Sequence, residues 1–324
     1  MSEPVLWPKI SVMVITYNQE HWIEETLDSV LCQGYPNLEL VVADDCSTDS
    51  TPQILLRYEA AYPGVVKPVL NPVNLGITGN CNAALEACTG ELVAVLGGDD
   101  IFLPGKLHAQ ARQFDDPEVV LSYHAVDVFL SQTDETLFLT NQTAREDLND
   151  VYEIIRKGGI PGASSVMVRR SACPAKGFDA RLPTVSDWLF YIDVALCGRV
   201  VKLDGIYGRY RKHGKGASDR TYELLDESLM ALDIVCAEHP DDRLLAAACD
   251  EGKARYIAGE VYRQLSKNPD IAGRLADRML EHGHALKYRV LWGVAQLLCR
   301  VPTLAKSVTG ILASLKSFLK RRIA

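Results

Sequence analysis

Two adjacent carboxylates, Asp99 and Asp100, are candidate ligands for a metal ion. They follow an apolar run, residues 92–96, that has the length and branched side chains of a buried strand, and Gly97 and Gly98 end that run. Like charges side by side repel each other unless a cation or hydrogen-bond donors lie between them. The pair therefore predicts a divalent-metal site at a strand end, with an ordinary Gly-Gly-Asp-Asp turn as the alternative.

Polar residues also follow three earlier apolar runs. A strand predicted at residues 10–16 ends in Thr16-Tyr17-Asn18, and a second, at residues 38–43, leads into Asp44-Asp45. A third, at residues 65–70, precedes a loop that contains Asn74 and Gly76. Helical spacing of apolar residues predicts helices at 20–33, 52–62 and 80–88 between these strands.

This alternation of strands and helices predicts an α/β fold with a Rossmann-like, doubly wound and mostly parallel sheet. Further strands are predicted near residues 119–129, 166–170 and 200–207. Beyond residue 218 the pattern is almost entirely helical, which predicts a helical C-terminal extension. In such sheets ligands bind outside the carboxyl ends of the strands, where the polar residues lie.

Four blocks of the first 107 residues carry a resemblance to a known family. They read I-S-V-M-V-I-T-Y-N, V-V-A-D-D-C-S-T-D-S-T, N-P-V-N-L-G-I and L-G-G-D-D-I-F-L-P-G-K-L. In this order and spacing they resemble a family 2 glycosyltransferase with a GT-A fold. A dinucleotide-binding dehydrogenase is disfavoured because no G-x-G-x-x-G follows the first strand.

The resemblance implies a binding site for the nucleotide of a sugar donor. Asp45 is the residue expected at the base, where a carboxylate that accepts the imino hydrogen of uracil would select that base. The other residues implied at the nucleotide are Thr16, Tyr17, Asn18, Asp44, Asn74 and Gly76. A turn or helix cap is the alternative for Asp44, and a framework role is the alternative for Thr16 and Tyr17.

The resemblance assigns Asp99 to a divalent cation, Mn²⁺ or Mg²⁺, that neutralises the diphosphate of the donor. Many members have a further Asp two residues before this one, and here Gly97 takes that place. Asp100 is expected to support the metal or to hold the acceptor.

A second acidic position, Asp187, lies in the segment Thr184-Val185-Ser186-Asp187-Trp188. It resembles the acid-containing helix start of the family, although Ser186 replaces the usual first acid. Asp187 is then the expected general base, which takes the proton of the acceptor hydroxyl in an inverting displacement. A helix N-cap or first-turn acid is the alternative.

The segment 210–218 resembles the flexible basic loop that closes over the donor. His213 is implied near the metal, and Arg211 and Lys215 are implied as cations for phosphate. A surface or core histidine is the alternative for His213.

Composition limits the protein class. With 324 residues and 48% apolar content the chain predicts a folded globular protein, and nine cysteines without a C-x-x-C pair favour reduced thiols in the cytoplasm. The first nine residues lack the positive region of a signal peptide, and no apolar run reaches membrane-spanning length. The net charge is −8, but residues 282–324 hold eight Lys and Arg and no acid.

This basic, amphipathic segment predicts a helix that lies on the inner membrane surface, beside a lipid-linked acceptor. Packing on the body or on a second subunit is the alternative. The expected domains are 1–217 for glycosyl transfer, 218–284 as the helical extension and 285–324 as the tail.

The predicted function is an inverting, metal-dependent glycosyltransferase. It would transfer a sugar from a nucleotide-diphosphate donor, expected to be a UDP-sugar, to a hydroxyl of a glycan or lipid-linked acceptor. Bacterial surface polysaccharide or lipopolysaccharide synthesis is the expected setting, and no nucleic-acid partner is expected. A non-catalytic nucleotide-sugar-binding or scaffold protein on the same fold is the alternative, because Gly97 and Ser186 depart from the family pattern.

Overall fold

The computed structural model describes residues 7–142, 147–160, 162–214 and 221–301. The chain divides into two compact units. The first contains residues 1–154 and 159–220, and the second contains residues 155–158 and 221–324.

A nine-stranded mixed sheet forms the centre of the first unit. Its strands are β1 Ile10–Thr16, β2 Leu38–Asp44, β3 Val66–Leu70, β4 Leu92–Gly97, β5 Ile101–Phe102, β6 Val119–Leu130, β7 Thr136–Leu139, β8 Met167–Arg169 and β9 Arg199–Lys212. The spatial order is β3-β2-β1-β4-β8-β6-β9-β5, and β7 pairs with β6 outside this path. The long ladders β3-β2-β1-β4 and β6-β9 are parallel, whereas the short strands β5, β7 and β8 pair antiparallel. The predicted α/β, mostly parallel sheet is therefore confirmed.

Helices alternate with the first four strands, as the sequence predicts. The helices that begin in this unit are α1 Ile23–Leu31, α2 Thr51–Ala61, α3 Gly76–Ala87, α4 Lys106–Ala111, α5 Val151–Lys157 and α6 Ser186–Ala195. Central strands such as β1 and β2 are buried along almost their whole length. The apolar face of α1, with Ile23, Leu27 and Val30, packs into the same core as Val12 and Val14 of β1. Burial of both faces explains why these strands are continuous apolar runs.

The structure corrects the predicted boundaries at two places near the strand ends. Residues Tyr210 to Lys212, expected in a flexible loop, belong to β9, because β6 pairs with β9 as far as Leu130 and Lys212. The third helix begins at Gly76 rather than at residue 80. Thr78 in its first turn donates to the carbonyl of Leu182 at 2.5 Å, so a tertiary contact holds a turn of weak helix formers.

The second unit is helical, as predicted. It contains α7 Leu225–Glu238, α8 Arg243–Gln264, α9 Pro269–His282 and α10 Leu286–Arg300. One face of α10, with Tyr288, Ala295 and Leu298, is buried in the core of this unit. Residues 302–324, most of the predicted tail, lie outside the described residues. Within the described ranges, none of the helices combines the length and apolar content needed to cross a bilayer.

Candidate active site

The ends of β2, β1 and β4 lie side by side at one edge of the sheet, because these strands are parallel and adjacent in this order. The sheet therefore brings Asp44 and Asp45, Thr16 to Asn18, and Asp99 to the same edge. This is the juxtaposition that a strand-end binding site requires.

Asp44 and Asp45 at the end of β2 face different partners. Asp44 accepts hydrogen bonds from the backbone N–H of Ser47 at 2.9 Å and from the Ser47 hydroxyl at 2.5 Å, so it closes its own turn. Asp45 accepts from the backbone N–H of Leu75 at 2.6 Å. Both carboxylates are almost completely buried. Asp44 therefore stabilises the turn from Asp44 to Ser47, whereas Asp45 links this turn to the segment 74–76.

The segment that contains Asn74 and Gly76 is fixed against this turn. The Asn74 amide donates to the carbonyl of Asp45 at 3.1 Å, and its oxygen accepts from the N–H of Gly76 at 3.2 Å. Gly76 has φ +74°, which favours glycine. Both predicted residues therefore shape the wall of the site next to Asp45.

The end of β1 carries two exposed residues, Tyr17 and Asn18, after the buried Thr16. Tyr17 is 48% exposed, and its ring is available to a ligand. Asn18, with φ +52°, accepts from the N–H of Thr48 at 2.8 Å and so joins the β1 and β2 ends. Thr16 is buried, and its hydroxyl has no hydrogen-bond partner among the described residues; the same holds for Oε1 of Gln19.

Asp99 at the end of β4 pairs with His213, which follows β9. Asp99 Oδ2 lies 2.8 Å from His213 Nε2, although the two residues are far apart in sequence. The His213 ring stacks on Trp22, with ring centroids 4.4 Å apart. The structure thus places both predicted metal ligands together, and Trp22 fixes the orientation of the imidazole.

Asp100 is buried beside Asp99. It is 2% exposed and accepts from the backbone N–H of Arg211 at 3.0 Å. Burial, together with the neighbouring charge of Asp99, raises the pKa of Asp100 well above its ordinary value. The contact of the Asp100 carboxylate with the main chain of Arg211 joins the loop after β4 to β9.

Arg211 is held in place by several contacts. Its Nε donates to the carbonyl of Asp99 at 2.7 Å, its terminal nitrogen lies 2.6 Å from Glu25, and its guanidinium lies over the ring of Phe129 at 4.7 Å. The side chain is 7% exposed. These contacts hold the main chain of Asp99 in place, and the carboxylate of Glu25 balances the positive charge of Arg211. Lys215, the other predicted phosphate cation, lies outside the described residues.

The donor set at Asp99 fits a divalent cation that also binds a diphosphate. One carboxylate and one imidazole leave most coordination positions to phosphate oxygens and water, as is common for Mg²⁺ and Mn²⁺ in nucleotide sites. Within the ranges that the structure describes, no cluster of three or more His, Cys, Asp or Glu could hold a metal. The protein alone therefore offers an incomplete ligand set at this point.

Asp187 lies in the first turn of α6, and its Oδ1 accepts from the N–H of Trp188 at 2.9 Å. Ser186 is buried and lies 2.7 Å from the hydroxyl of Thr78, which fastens the start of α6 to the start of α3. Burial raises the pKa of Cys81 in α3, and the charges of Asp187 and Asp45 add to this effect. The contact between Ser186 and Thr78 therefore places Asp187 beside the first turn of α3, the helix that begins at Gly76.

Sequence reasoning missed Trp22, Glu25 and Thr78, which position the site. Glu25 and Thr78 lie in the first turns of α1 and α3, and Trp22 directly precedes α1, so their spacing is that of ordinary helix starts. Their roles depend on partners far along the chain: His213, Arg211 and Leu182. No local pattern in the sequence signals such partners.

The strand order, with carboxylates at the ends of β2 and β4 and a helical unit after the sheet, defines a GT-A fold. The chain belongs to glycosyl transferase family 2, whose family model matches residues 11–173.

Among curated proteins, the chain is 32% identical over 217 residues to an uncharacterised protein of Mycobacterium tuberculosis. The match covers 66% of this chain and 61% of that protein, so the chain spans about three fifths of the length of this relative. It is 37% identical over 101 residues to the Escherichia coli UDP-Glc:alpha-D-GlcNAc-diphosphoundecaprenol beta-1,3-glucosyltransferase WfgD. This match covers 31% of this chain and 39% of WfgD.

Among solved structures, residues 1–349 of Staphylococcus aureus TarS in complex with UDP have a similar fold. The TM-score is 0.61 at 22% identity, over 92% of this chain and 87% of that one. At this level of identity the likeness concerns the fold.

Proposed function

We propose that the chain is an inverting, metal-dependent glycosyltransferase that uses a nucleotide-diphosphate sugar. The observation that carries the proposal is the arrangement along one sheet edge: Asp45 at one end and the Asp99–His213 pair at the other, with the β1 end between them. A nucleoside diphosphate has its base and its charged phosphates at opposite ends. The edge therefore suits such a donor with its base at Asp45 and its diphosphate at the Asp99–His213 pair.

The donor is proposed to be a UDP-sugar. The fold neighbour TarS is in complex with UDP, and the name of the relative WfgD specifies UDP-Glc as donor. In this chain the buried Asp45 carboxylate and the exposed Tyr17 ring provide an acceptor and an apolar surface for a pyrimidine. Asp99 and His213 would hold a divalent cation, which supplies positive charge for the diphosphate as it leaves.

Asp187 is proposed as the general base. It is exposed in the first turn of α6, so an acceptor hydroxyl can reach it from solvent. As the acceptor oxygen attacks the anomeric carbon, its proton passes to the Asp187 carboxylate and the bond to the diphosphate breaks. Attack opposite the leaving group inverts the anomeric configuration. Ser186 and Thr78 keep the helix start, and therefore the carboxylate, in position.

The acceptor is proposed to be a hydroxyl of a surface glycan or of its lipid-linked precursor. The relative WfgD acts, by its name, on a diphosphoundecaprenol-linked sugar. The proposed place of action is the inner face of the cytoplasmic membrane, reached through the basic segment from residue 285 onward. The exposed apolar residues of α10, beside three cations and no acid, support this part of the proposal.

The proposal is tested by calorimetric titration of UDP, with and without Mn²⁺, against three proteins. We expect the wild type to bind UDP more tightly with Mn²⁺. Asp99→Asn should lose this Mn²⁺-dependent gain, because the substitution removes the anionic ligand. Asp187→Asn should keep it, because Asp187 does not contact the nucleotide in this scheme, but should lose transfer and donor hydrolysis by at least a hundredfold.

Each other outcome has a defined meaning. If wild type binds neither UDP nor another nucleoside diphosphate, the donor proposal is wrong. If it binds UDP but never releases UDP from a panel of UDP-sugars, the non-catalytic alternative replaces the enzyme. If Asp187→Asn keeps the full transferase activity of wild type, Asp187 is not the general base.

A further inference from the structure

The order of the strand ends divides the nucleotide edge into three parts. Asp45 is at the end of β2, Asp99 is at the end of β4, and β1 lies between these strands. Neighbouring strands are about 4.8 Å apart, so the β2 and β4 ends are separated by about 10 Å. With a base at β2 and phosphates at β4, the ribose that connects them must lie over the end of β1.

Two buried polar atoms at the β1 end have no partner among the described residues. They are the hydroxyl oxygen of Thr16 and the amide oxygen Oε1 of Gln19. Both lie against Gly98 at the end of β4, where an added Cβ would overlap Gln19 Oε1 and come within 2.9 Å of Thr16 Cβ. A buried oxygen without a hydrogen bond is unfavourable, and a ligand that supplies a donor relieves this cost.

The backbone of Gln19 makes hydrogen bonds on both sides, whereas its side-chain oxygen makes none among the described residues. Its N–H donates to the Thr51 hydroxyl at 3.0 Å, and its carbonyl accepts from Trp22 and Ile23 at the start of α1. The amide group makes no hydrogen bond within the described part of the chain, and the residue is half-buried. The Gln19 amide oxygen can therefore accept a hydrogen bond from a ligand without losing one within the described part of the chain.

The end of β4 offers little to a ribose from its own side. Gly97 has no side chain, and a Cβ there would come within 2.9 Å of Asp99 Oδ1. Asn18 donates its main-chain N–H to Ser47, and its side-chain oxygen accepts from the N–H of Thr48. Gln19 and Thr16 are thus the two side chains at the middle of the edge whose buried oxygen atoms lack a hydrogen-bond partner among the described residues.

We infer that Gln19, assisted by Thr16, binds the ribose hydroxyls of the donor and sets a preference for ribonucleotides over deoxyribonucleotides. This inference rests on the proposed nucleotide donor and adds a specificity-determining residue to that site. A pocket built to hydrogen-bond a hydroxyl discriminates against an analogue that lacks it, because the buried polar groups then stay unpaired.

The test compares the dissociation constants of UDP, 2′-deoxy-UDP and 3′-deoxy-UDP for wild type and Gln19→Ala, in the presence of Mn²⁺. Wild type should prefer UDP over at least one deoxy analogue by about tenfold, the effect of one hydrogen bond. Gln19→Ala should bind UDP about tenfold more weakly and that analogue with unchanged affinity, so that the preference disappears. Thr16→Val, which keeps side-chain volume, should reduce the same preference.

Gln113→Ala is the matched control, because Gln113 is a half-buried amide in the segment Arg112–Asp115, beyond α4 and away from the strand ends. It should leave all three constants unchanged, and thermal unfolding should show that every variant is folded. An unchanged preference in Gln19→Ala, or an equal loss for all three nucleotides, would overturn the inference while the donor proposal stands. Absence of UDP binding by wild type would instead contradict the donor proposal itself.

Discussion

Lys106 is a cationic residue type at a fully buried position. Its ammonium group donates to Gln110 at 2.5 Å and lies 4.4 Å from the centre of the Phe102 ring, and the side chain is 0% exposed. No carboxylate forms an ion pair with it among the residues that the structure describes. Burial lowers the pKa of Lys106 to about 7. The protein therefore spends folding free energy to keep this group buried near neutral pH.

Replacement of Lys106 by Met should change how stability depends on pH. The folded-state pKa is below the unfolded value of about 10.4, so between pH 7 and 10 the unfolded wild type binds more protons and wild-type stability rises with pH. Lys106→Met removes this contribution. The free energy of unfolding of the variant, relative to wild type, should be higher at pH 7 than at pH 9 by up to about 2 kcal/mol. Urea denaturation at the two pH values measures it.

Lys267→Met provides the same chemical change at an exposed position. It should show no such difference between pH 7 and 9. A parallel pH dependence for wild type and Lys106→Met would mean that Lys106 keeps its proton in the folded protein over this range.

The site residues that sequence reasoning could reach are those at strand ends. Asp45 and Asp99 each follow an apolar run directly, so local pattern and the geometry of parallel sheets are enough to bring them to one edge. The balance of charge around Arg211 could not be inferred, because Glu25 is 186 positions away and the pairing depends on the final path of β9. The proposed roles of these residues remain predictions.

At the level of elements, one buried carboxylate joins β1, β2 and β3 to the segment before β4. Glu39 in β2 is 1% exposed and accepts from Ser11 of β1 at 2.5 Å, from Lys67 of β3 and from the Thr89 N–H at 2.8 Å. Lys9 adds a further contact at 3.1 Å. These residues are at the amino ends of the strands, opposite the site. Burial alone would raise the pKa of Glu39, but the hydrogen bonds from Lys67, Ser11 and Thr89 outweigh it and hold the pKa far below its ordinary value.

Glu39→Gln should lower the free energy of unfolding at pH 7 by roughly 2–3 kcal/mol, because the two lysines lose their anion and the buried amide cannot accept every hydrogen bond. The folded-state pKa is depressed, so the contribution of Glu39 is present above about pH 4.3 and is lost as the pH falls further. The difference between wild type and variant should therefore shrink from pH 5 to pH 3. Urea denaturation across this range measures it.

Glu59→Gln on the exposed face of α2 is the control and should cost less than about 0.5 kcal/mol. The folded Glu39→Gln protein should also keep the UDP affinity of wild type, since the cluster lies at the far ends of the strands. Equal stability of wild type and Glu39→Gln at pH 7 would contradict the anchoring role.

Element prediction succeeded where local pattern and tertiary environment agree, and it failed where they differ. Strands β1, β2 and β4 are mainly apolar and became buried parallel strands, whereas β3, with Lys67 and Pro68, is parallel but only partly buried. The edge strand β7 is exposed at all four residues and carries no burial pattern that would identify it. Strand β9 extends through Arg211 and Lys212 because pairing with β6 outweighs the polar character of this segment.

At the level of the whole molecule, the last described helix has two apolar faces. The inner face packs in the helical unit. Trp292 on the same helix donates to Asp277 of α9 at 2.7 Å. The outer face carries an exposed apolar stripe, defined as Leu286, Val290, Leu297 and Val301, which are 76%, 58%, 51% and 38% exposed. The exposed cations Lys287, Arg289 and Arg300 flank it. An apolar stripe between cations matches a surface of anionic lipids.

Removal of the stripe should weaken attachment to such a surface. In a vesicle co-sedimentation assay with phosphatidylglycerol, we expect Leu286→Gln/Val290→Gln/Leu297→Gln to bind at least tenfold more weakly than wild type, because three apolar side chains can no longer enter the bilayer interface. Met230→Gln/Leu244→Gln, on exposed positions of α7 and α8, is the matched control and should bind like wild type. Wild-type binding should fall with salt and be absent from neutral phosphatidylcholine, because the flanking cations need an anionic partner. Equal binding by the stripe variant and wild type would show that the helix does not contact the lipid.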